Sequence, residues 1–163
     1  MPDELERAFN DQVTMELGSA NAYLQMAAWF SVENLEGMAS WMRAQAEEER
    51  SHADMFLDFI LDRGGRVVLG AVDSPRAEFA NPLEVFETAL AQEEAVTRAI
   101  HGLYRLADEL DDLSSVPFLQ QFIAEQNEEE ATVGAIVDRL RLADGQSSAL
   151  LLIDSALGGR SAS

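Results

Sequence analysis

The segment AEEERSH, residues 46–52, is the most informative stretch of this sequence, because it places acids and a histidine within a helical pattern. Residues three apart on an α-helix lie about 60° apart around its axis, so Glu49 and His52 share one face. By the same count Glu47 points away from this face, and Glu48 lies at its edge. The rest of the face is apolar, and its members are Leu35, Met38, Met42, Ala46, Ala53, Phe56 and Ile60. Two metal-ligand side chains are therefore predicted on the buried side of a long helix.

Polar residues interrupt the apolar face of three further helical segments in the same way. They are Glu16 in the first segment, Glu93 in the third, and Gln126 and Glu129 in the fourth. An isolated buried carboxylate costs several kcal/mol, and two carboxylates about 4 Å apart repel by about 4 kcal/mol at an effective dielectric constant of 20. A single acid on an apolar face is usually a misjudged boundary position. Because all four helices carry such a residue and bound cations offset both costs, the pattern favours a metal site in the core.

Helical periodicity marks four long segments, at about 3–32, 35–62, 82–110 and 115–143, and a shorter one at about 147–157. Asn81 is predicted to cap the third helix, with Pro82 in its first turn, and Pro117 to lie in the first turn of the fourth. The stretch DRGGRVVLGAVDSP, residues 62–75, belongs to a long irregular connection. The predicted fold is all-α: a four-helix bundle with one long crossover between the second and third helices, plus a short C-terminal fifth helix. The chain is expected to form a single domain, residues 1–163.

Composition narrows the function classes. The net charge of −19 disfavours contact with nucleic acid or an anionic membrane and favours contact with cations. The sequence has no cysteine, which excludes disulfides, zinc fingers and thiolate clusters. A metal site must then use carboxylate, imidazole or amide ligands, which suit iron or manganese. The start MPDELERAF lacks the features of a secretory signal, and the longest apolar run, ALLLI at 149–153, is too short to cross a bilayer. A cytoplasmic protein is expected.

Five segments resemble the non-haem bacterial ferritins, and together they cover essentially the whole chain. They are ELGSANAYLQMAAWF (16–30), AEEERSHADMFLDFI (46–60), QEEAVTRAI (92–100), FIAEQNEEEATVGAIVDRL (122–140) and LLLIDSAL (150–157). The resemblance implies a ferritin-like bundle that stores iron and has ferroxidase activity. It also implies a homo-oligomeric cage of about 24 subunits, in which Fe(II) is oxidised by O2 or H2O2 and deposited as ferric oxyhydroxide.

The resemblance also implies which residues hold iron. Glu49 would bridge two irons, Glu16 and His52 would complete the first, and Glu93 would serve the second, with Gln126 and Glu129 close by. A third iron would lie near Glu48, Glu125, Glu128 and Glu129, although each of these acids alone could be a solvated surface residue. The implied catalytic residues are Glu49, His52 and Tyr23, the last as a one-electron donor. An ordinary core tyrosine is the alternative for Tyr23.

The sequence differs from two related families, the bacterioferritins and the animal ferritins. The sister bacterioferritins repeat Glu-x-x-His on the fourth helix, where this chain has Gln126-x-x-Glu129, and bind haem through a methionine at the place of Arg50. No haem site is therefore expected. The places that animal ferritins fill with acids at the three-fold pore are assigned here to Val116 and Leu119, which puts iron access by that route in doubt.

Two other functions fit the same residues. An acidic helical scaffold without metal would be indifferent to iron and would form no cage. A di-iron or di-manganese oxidase acting on an organic substrate would need a pocket beside the metals. His101, about 80° from Glu93 around its helix, is expected to be structural or exposed.

Overall fold

Five α-helices build the described part of the chain, residues 1–159 of a computed structural model, and no strand occurs there. Their bounds are α1 Asp3–Val32, α2 Glu36–Asp62, α3 Pro82–Glu109, α4 Val116–Ala143 and α5 Ser147–Gly158. The prediction of a four-helix bundle followed by a short fifth helix is confirmed, with each helix end within one residue of its predicted place. Residues 160–163, which the predicted domain includes, lie outside the described residues.

The third and fourth helices begin where the sequence predicts. Asn81 precedes α3 in an extended conformation, and its Oδ1 accepts a hydrogen bond of 2.9 Å from the Glu84 amide. The Glu84 carboxylate in turn accepts from the Ala80 amide, so the Asn81 side chain pairs an amide of the first helical turn and the Glu84 side chain pairs an amide just before the helix. Proline lies in the first turn of α3 and of α4, where its missing N–H costs no helical hydrogen bond.

The long connection between α2 and α3 is held against α1 by hydrogen bonds from two α1 side chains. Asn10 donates from Nδ2 to the Arg66 carbonyl at 2.9 Å and accepts at Oδ1 from the Val68 amide at 2.6 Å. One turn later along α1, Thr14 Oγ1 accepts from the Gly70 amide at 3.0 Å. The connection therefore runs beside α1 and carries the chain from the end of α2 to the start of α3.

The core of the bundle consists of two apolar clusters separated along the helix axes. One contains the second half of α1, the first half of α2, the start of α3 and the end of α4, and includes Phe30, Met42 and Val137. The other contains the opposite halves of the same helices and includes Phe9 and Phe122. The acids that interrupt the apolar faces lie between the two clusters, because they occupy the middle of each helix.

An ion pair joins the end of α2 to the connection between α3 and α4. The Arg63 guanidinium donates to both Asp112 carboxylate oxygens, at 2.7 and 3.2 Å, and to Ser115 Oγ at 3.2 Å. The hydrogen bonds from Arg63 are the main cause that holds the pKa of Asp112 below its ordinary value of 3.8. This contact joins the end of α2 to the α3–α4 connection at one end of the bundle.

We expect Arg63→Ala to lower the free energy of unfolding by about 2 kcal/mol, because the variant loses charge-assisted hydrogen bonds and leaves Asp112 without its cation. Chemical denaturation measures the change, with the exposed Arg66→Ala as the control. Because the pKa of Asp112 is lower in the folded chain than in the unfolded chain, the ionised carboxylate stabilises the folded chain at pH values above 3.8. This stabilisation is lost as the pH falls through the pKa that Asp112 has in the folded chain. The difference from wild type should therefore shrink below about pH 4. Equal effects of the two variants would contradict this role.

The resemblance assigns Leu119, together with Val116, to the places that animal ferritins fill with acids at the three-fold pore. The Leu119 side chain is fully buried within the subunit and belongs to the apolar cluster that contains Phe9 and Phe122. A residue on the core face of α4 is unavailable to a surface between subunits. Val116, at the start of the same helix, is half-buried.

No helix within residues 1–159 combines the length and the hydropathy that a membrane-spanning helix requires.

Candidate metal centre

Four buried carboxylate or amide residues from four helices lie between the two apolar clusters. The exposed fractions of Glu16, Glu49, Glu93 and Gln126 are 0, 1, 0 and 1 %, and that of His52 is 6 %. Glu47, by contrast, is exposed, and Glu48 is half-buried. The placements deduced from helical periodicity are thus confirmed for each of these residues.

Glu16, Glu49 and His52 form a compact group of possible metal ligands. One ligand atom from each residue lies within 4.8 Å of the other two, and His52 Nδ1 is 3.2 Å from Glu49 Oε2. Glu16 Oε1 accepts a hydrogen bond of 2.7 Å from Gln12, whereas its buried Oε2 has no hydrogen-bond partner among residues 1–159. A buried carboxylate oxygen without a donor is unfavourable unless a proton or a cation binds to it. The donor set therefore fits a cation that takes oxygen and imidazole ligands.

The pKa values of Glu16 and Glu49 are both raised, and a bound cation would lower them. Burial raises the pKa of Glu16 well above its ordinary value, and the nearby charge of Glu49 raises it further. Burial also raises the pKa of Glu49, with the charge of Glu93 as the next cause. Glu49 thus interacts with acids on both α1 and α3.

Glu93 forms hydrogen bonds with side chains of α1 and α4. Its Oε1 accepts a hydrogen bond from the Tyr23 hydroxyl, and its Oε2 lies 3.2 Å from Gln126 Nε2. Gln126 Nε2 is also 3.3 Å from Thr97 Oγ1. Burial, followed by the charges of Glu93 and Glu49, raises the pKa of Tyr23 well above its ordinary value, so the phenol stays protonated and donates. The structure therefore links Tyr23 to Glu93 directly, which periodicity alone did not indicate.

Glu129 lies at the margin of the centre, where α4 faces α2. It is half-buried, and its Oε2 accepts a hydrogen bond of 3.0 Å from Gln45. Burial and then the charge of Glu48 raise the pKa of Glu129 to about 7. Glu129 is thus close to Glu48 but less enclosed than Glu16 or Glu49.

The acids predicted to form a third iron position are only partly brought together. Glu125 Oε2 lies 3.5 Å from His52 Nε2, and no group in the described part of the chain donates a hydrogen bond to this buried oxygen. Glu48 is half-buried beside Glu129, and Glu128 is exposed to solvent. Acids from α2 and α4 therefore line this side of the centre, with Glu128 the most open of them.

Two buried amides beside the centre were missed by the sequence reasoning. Gln12 is 3 % exposed and bonds to Glu16, and Gln45 is 1 % exposed and bonds to Glu129. Each precedes a predicted ligand of its own helix by four residues, and so lies on the same buried face. The interruption of an apolar face by a polar residue, which identified the acids, would have identified these amides as well.

The family model described as Ferritin-like domain matches residues 6–143, which include every predicted iron ligand. The chain belongs to the ferritin family.

Relatives within the ferritin family match nearly the whole chain. The bacterial non-heme ferritin of Bacteroides fragilis (strain 638R) is 37 % identical over 158 residues, which are 97 % of this chain and 98 % of that protein. The bacterial non-heme ferritin of Staphylococcus saprophyticus is 39 % identical over 158 residues, 97 % of this chain and 95 % of the relative.

Solved ferritin structures share the fold closely. An open-pore ferritin from the hyperthermophilic archaeon Archaeoglobus fulgidus superposes with a TM-score of 0.97 at 41 % identity and covers 99 % of both chains. A humanized archaeal ferritin gives a TM-score of 0.97 at 39 % identity, over 99 % of this chain and 98 % of the other. The predicted resemblance to non-haem bacterial ferritins is confirmed.

Proposed function

We propose that this protein stores iron and oxidises Fe(II) at a dinuclear centre held by Glu16, Glu49, His52 and Glu93. The observation that carries the proposal is the buried group of Glu16, Glu49 and His52, whose ligand atoms lie within 4.8 Å of one another. Membership in the ferritin family supports iron storage with ferroxidase activity. Gln126 and Glu129 complete the proposed surroundings of the second iron.

The ligands suit the oxidation of iron. Carboxylates are hard anionic donors, and they stabilise Fe(III) more than Fe(II). Two Fe(II) ions give up one electron each, and one O2 molecule takes both electrons with two protons to form H2O2. Glu49 interacts with both Glu16 and Glu93 and would bind both irons, so that both could react with the same O2 molecule. Hydrolysis of the Fe(III) product then releases protons and allows ferric oxyhydroxide to form.

Tyr23 is proposed as a one-electron donor that supplies one of the two electrons for the reduction of O2 to H2O2 when only one Fe(II) is bound. Its hydroxyl bonds to Glu93, so the phenol proton has an acceptor at hand when the ring is oxidised. The ring is fully buried, which keeps water from the oxidised side chain. The other possibility is a core tyrosine that only positions Glu93.

The proposed assembly is a cage of about 24 copies, and the proposed location is the cytoplasm. The acids that line the α2 and α4 side of the centre would attract Fe(II), and Glu48, Glu125, Glu128 and Glu129 are proposed to hold a third iron there. No haem is expected, since Arg50 replaces the methionine ligand.

Size-exclusion chromatography followed by aerobic addition of Fe(II) tests the proposal. A large particle that turns amber and retains iron is the expected result. A small iron-indifferent species would indicate a scaffold instead. A small species that binds iron but stores none would favour an oxidase with an organic substrate.

We expect Glu128→Ala to change the turnovers that follow the first two irons per subunit, in either their rate or the ratio of iron to oxygen consumed. The physical reason is that Glu128 supplies negative charge at the proposed third position without contacting the buried group. Stopped-flow absorbance with an oxygen electrode measures both quantities. Glu94→Ala, which removes an exposed acid from α3, is the control. Later turnovers identical to wild type would return Glu128 to the solvated surface.

A further inference from the structure

A cavity between α1 and α3 adjoins the metal centre on the side away from the acids of α2 and α4. Its volume is about 240 Å³. It is open to solvent beside the exposed Gly102, and its apolar lining residues are Ala8, Met15, Ala99, Gly102, Leu103 and Leu106. Asp11, an exposed residue, contributes an acid to the lining. The cavity thus differs in chemistry from the opposite side of the centre.

One side chain separates this cavity from the proposed iron ligands. Gln12 lines the cavity, is 3 % exposed, and donates from Nε2 to Glu16 Oε1 at 2.7 Å. The other oxygen of Glu16 is buried without a hydrogen-bond partner beside Glu49 and His52. A small molecule in the cavity is therefore one amide side chain away from the group that would hold iron.

The two sides of the centre suit different reactants. Hydrated Fe(II) is a cation, and the side with Glu48, Glu125 and Glu129 is lined by acids. Dioxygen is neutral and apolar, so these acids do not attract it, and its contact with a mostly apolar lining is favourable. We propose that the cavity between α1 and α3 is the passage by which dioxygen reaches the centre, with Gln12 as its inner gate. This inference rests on the proposed ferroxidase function.

Gly102 offers a way to close the passage without touching the centre. Outside the backbone of its own helix, a Cβ atom built on Gly102 meets no atom of the described residues within 4 Å, so a side chain can begin there without a clash. Gly134, a helical glycine on α4, has the same free space and does not line the cavity. Gly102→Leu and Gly134→Leu are therefore matched variants, and only the first fills the cavity.

First-turnover oxidation should be measured at fixed Fe(II) over a range of dioxygen concentrations. In Gly102→Leu we expect the apparent KM for dioxygen to rise about fivefold while the rate at saturating dioxygen is unchanged, the pattern of a lost access step. Anaerobic Fe(II) binding should be unchanged as well, and Gly134→Leu should behave as wild type. An unchanged KM in Gly102→Leu, or an equal rise in both variants, would overturn the passage.

Xenon provides a readout that does not depend on iron oxidation. Crystals of the wild type under xenon pressure should show density in the cavity, since apolar cavities take up xenon, and crystals of Gly102→Leu should not. No density in the wild type would overturn the inference. A wild type that oxidises no Fe(II) would overturn the proposed function and this inference with it. Normal oxidation with an unchanged KM in Gly102→Leu would overturn the passage alone.

Discussion

Glu49→Gln should fold and assemble but oxidise the first Fe(II) ions at least about 100-fold more slowly than wild type, since even residues that only support metal ligands cost 10 to 100-fold when changed. Glu49 is 1 % exposed and interacts with Glu16, His52 and Glu93. The amide has nearly the shape of the acid but lacks the negative charge that would bind both irons. Stopped-flow absorbance in the first turnover measures the loss.

The folding of this variant is expected to be at least as good as that of wild type. Burial raises the pKa of Glu49, so the carboxyl resists ionisation in the metal-free protein and resembles an amide in charge. Thermal unfolding and chromatography check that the cage and the fold are intact. Glu47→Gln is the matched control, because Glu47 is exposed only two residues away. A wild-type rate in Glu49→Gln would remove Glu49 from the centre.

A redox-inert divalent cation should raise the melting temperature of the protein by about 10 °C. A ligand at a thousandfold excess over its Kd stabilises the folded state by about 4 kcal/mol, and each kcal/mol shifts the melting temperature of a chain of this size by about 2–4 °C. Zn(II) is suitable because it takes carboxylate and imidazole ligands and has no redox chemistry. Differential scanning calorimetry with and without Zn(II) measures the shift, and Glu49→Gln should lose most of it.

The effect of the cation should grow with pH, because the metal-free protein weakens in the same range. The pKa of Glu129 is raised to about 7 in the folded protein, from an ordinary value of 4.5. Because the pKa of Glu129 is higher in the folded chain than in the unfolded chain, the stability of the folded chain is unaffected below pH 4.5. It decreases as the pH rises through the pKa that Glu129 has in the folded chain. The buried Glu16 and Glu49 shift in the same direction. The metal-free melting temperature should therefore fall between pH 4.5 and pH 7, and Zn(II) should restore it. A metal-free melting temperature that rises over this range would contradict the assigned cause.

Helical periodicity was sufficient to predict the buried faces, because burial of an amphipathic helix follows from the sequence of that helix alone. Glu16, Glu49 and Glu93 were identified as buried acids in this way, and the structure places them in the core. Leu119 is buried in the core as well, although the resemblance assigns it to a pore position of animal ferritins.

The five helices, their ends, the long crossover and the core-facing residues could all be predicted from the sequence, since each depends on local propensity and pattern. Which of those residues contact one another depends on the packing of the helices. The hydrogen bond from Tyr23 to Glu93 and that from Gln45 to Glu129 each join two helices, and the cavity beside Gln12 lies between α1 and α3. Such contacts depend on the rotation and axial offset of one helix against another, which side-chain packing fixes only when the bundle has formed.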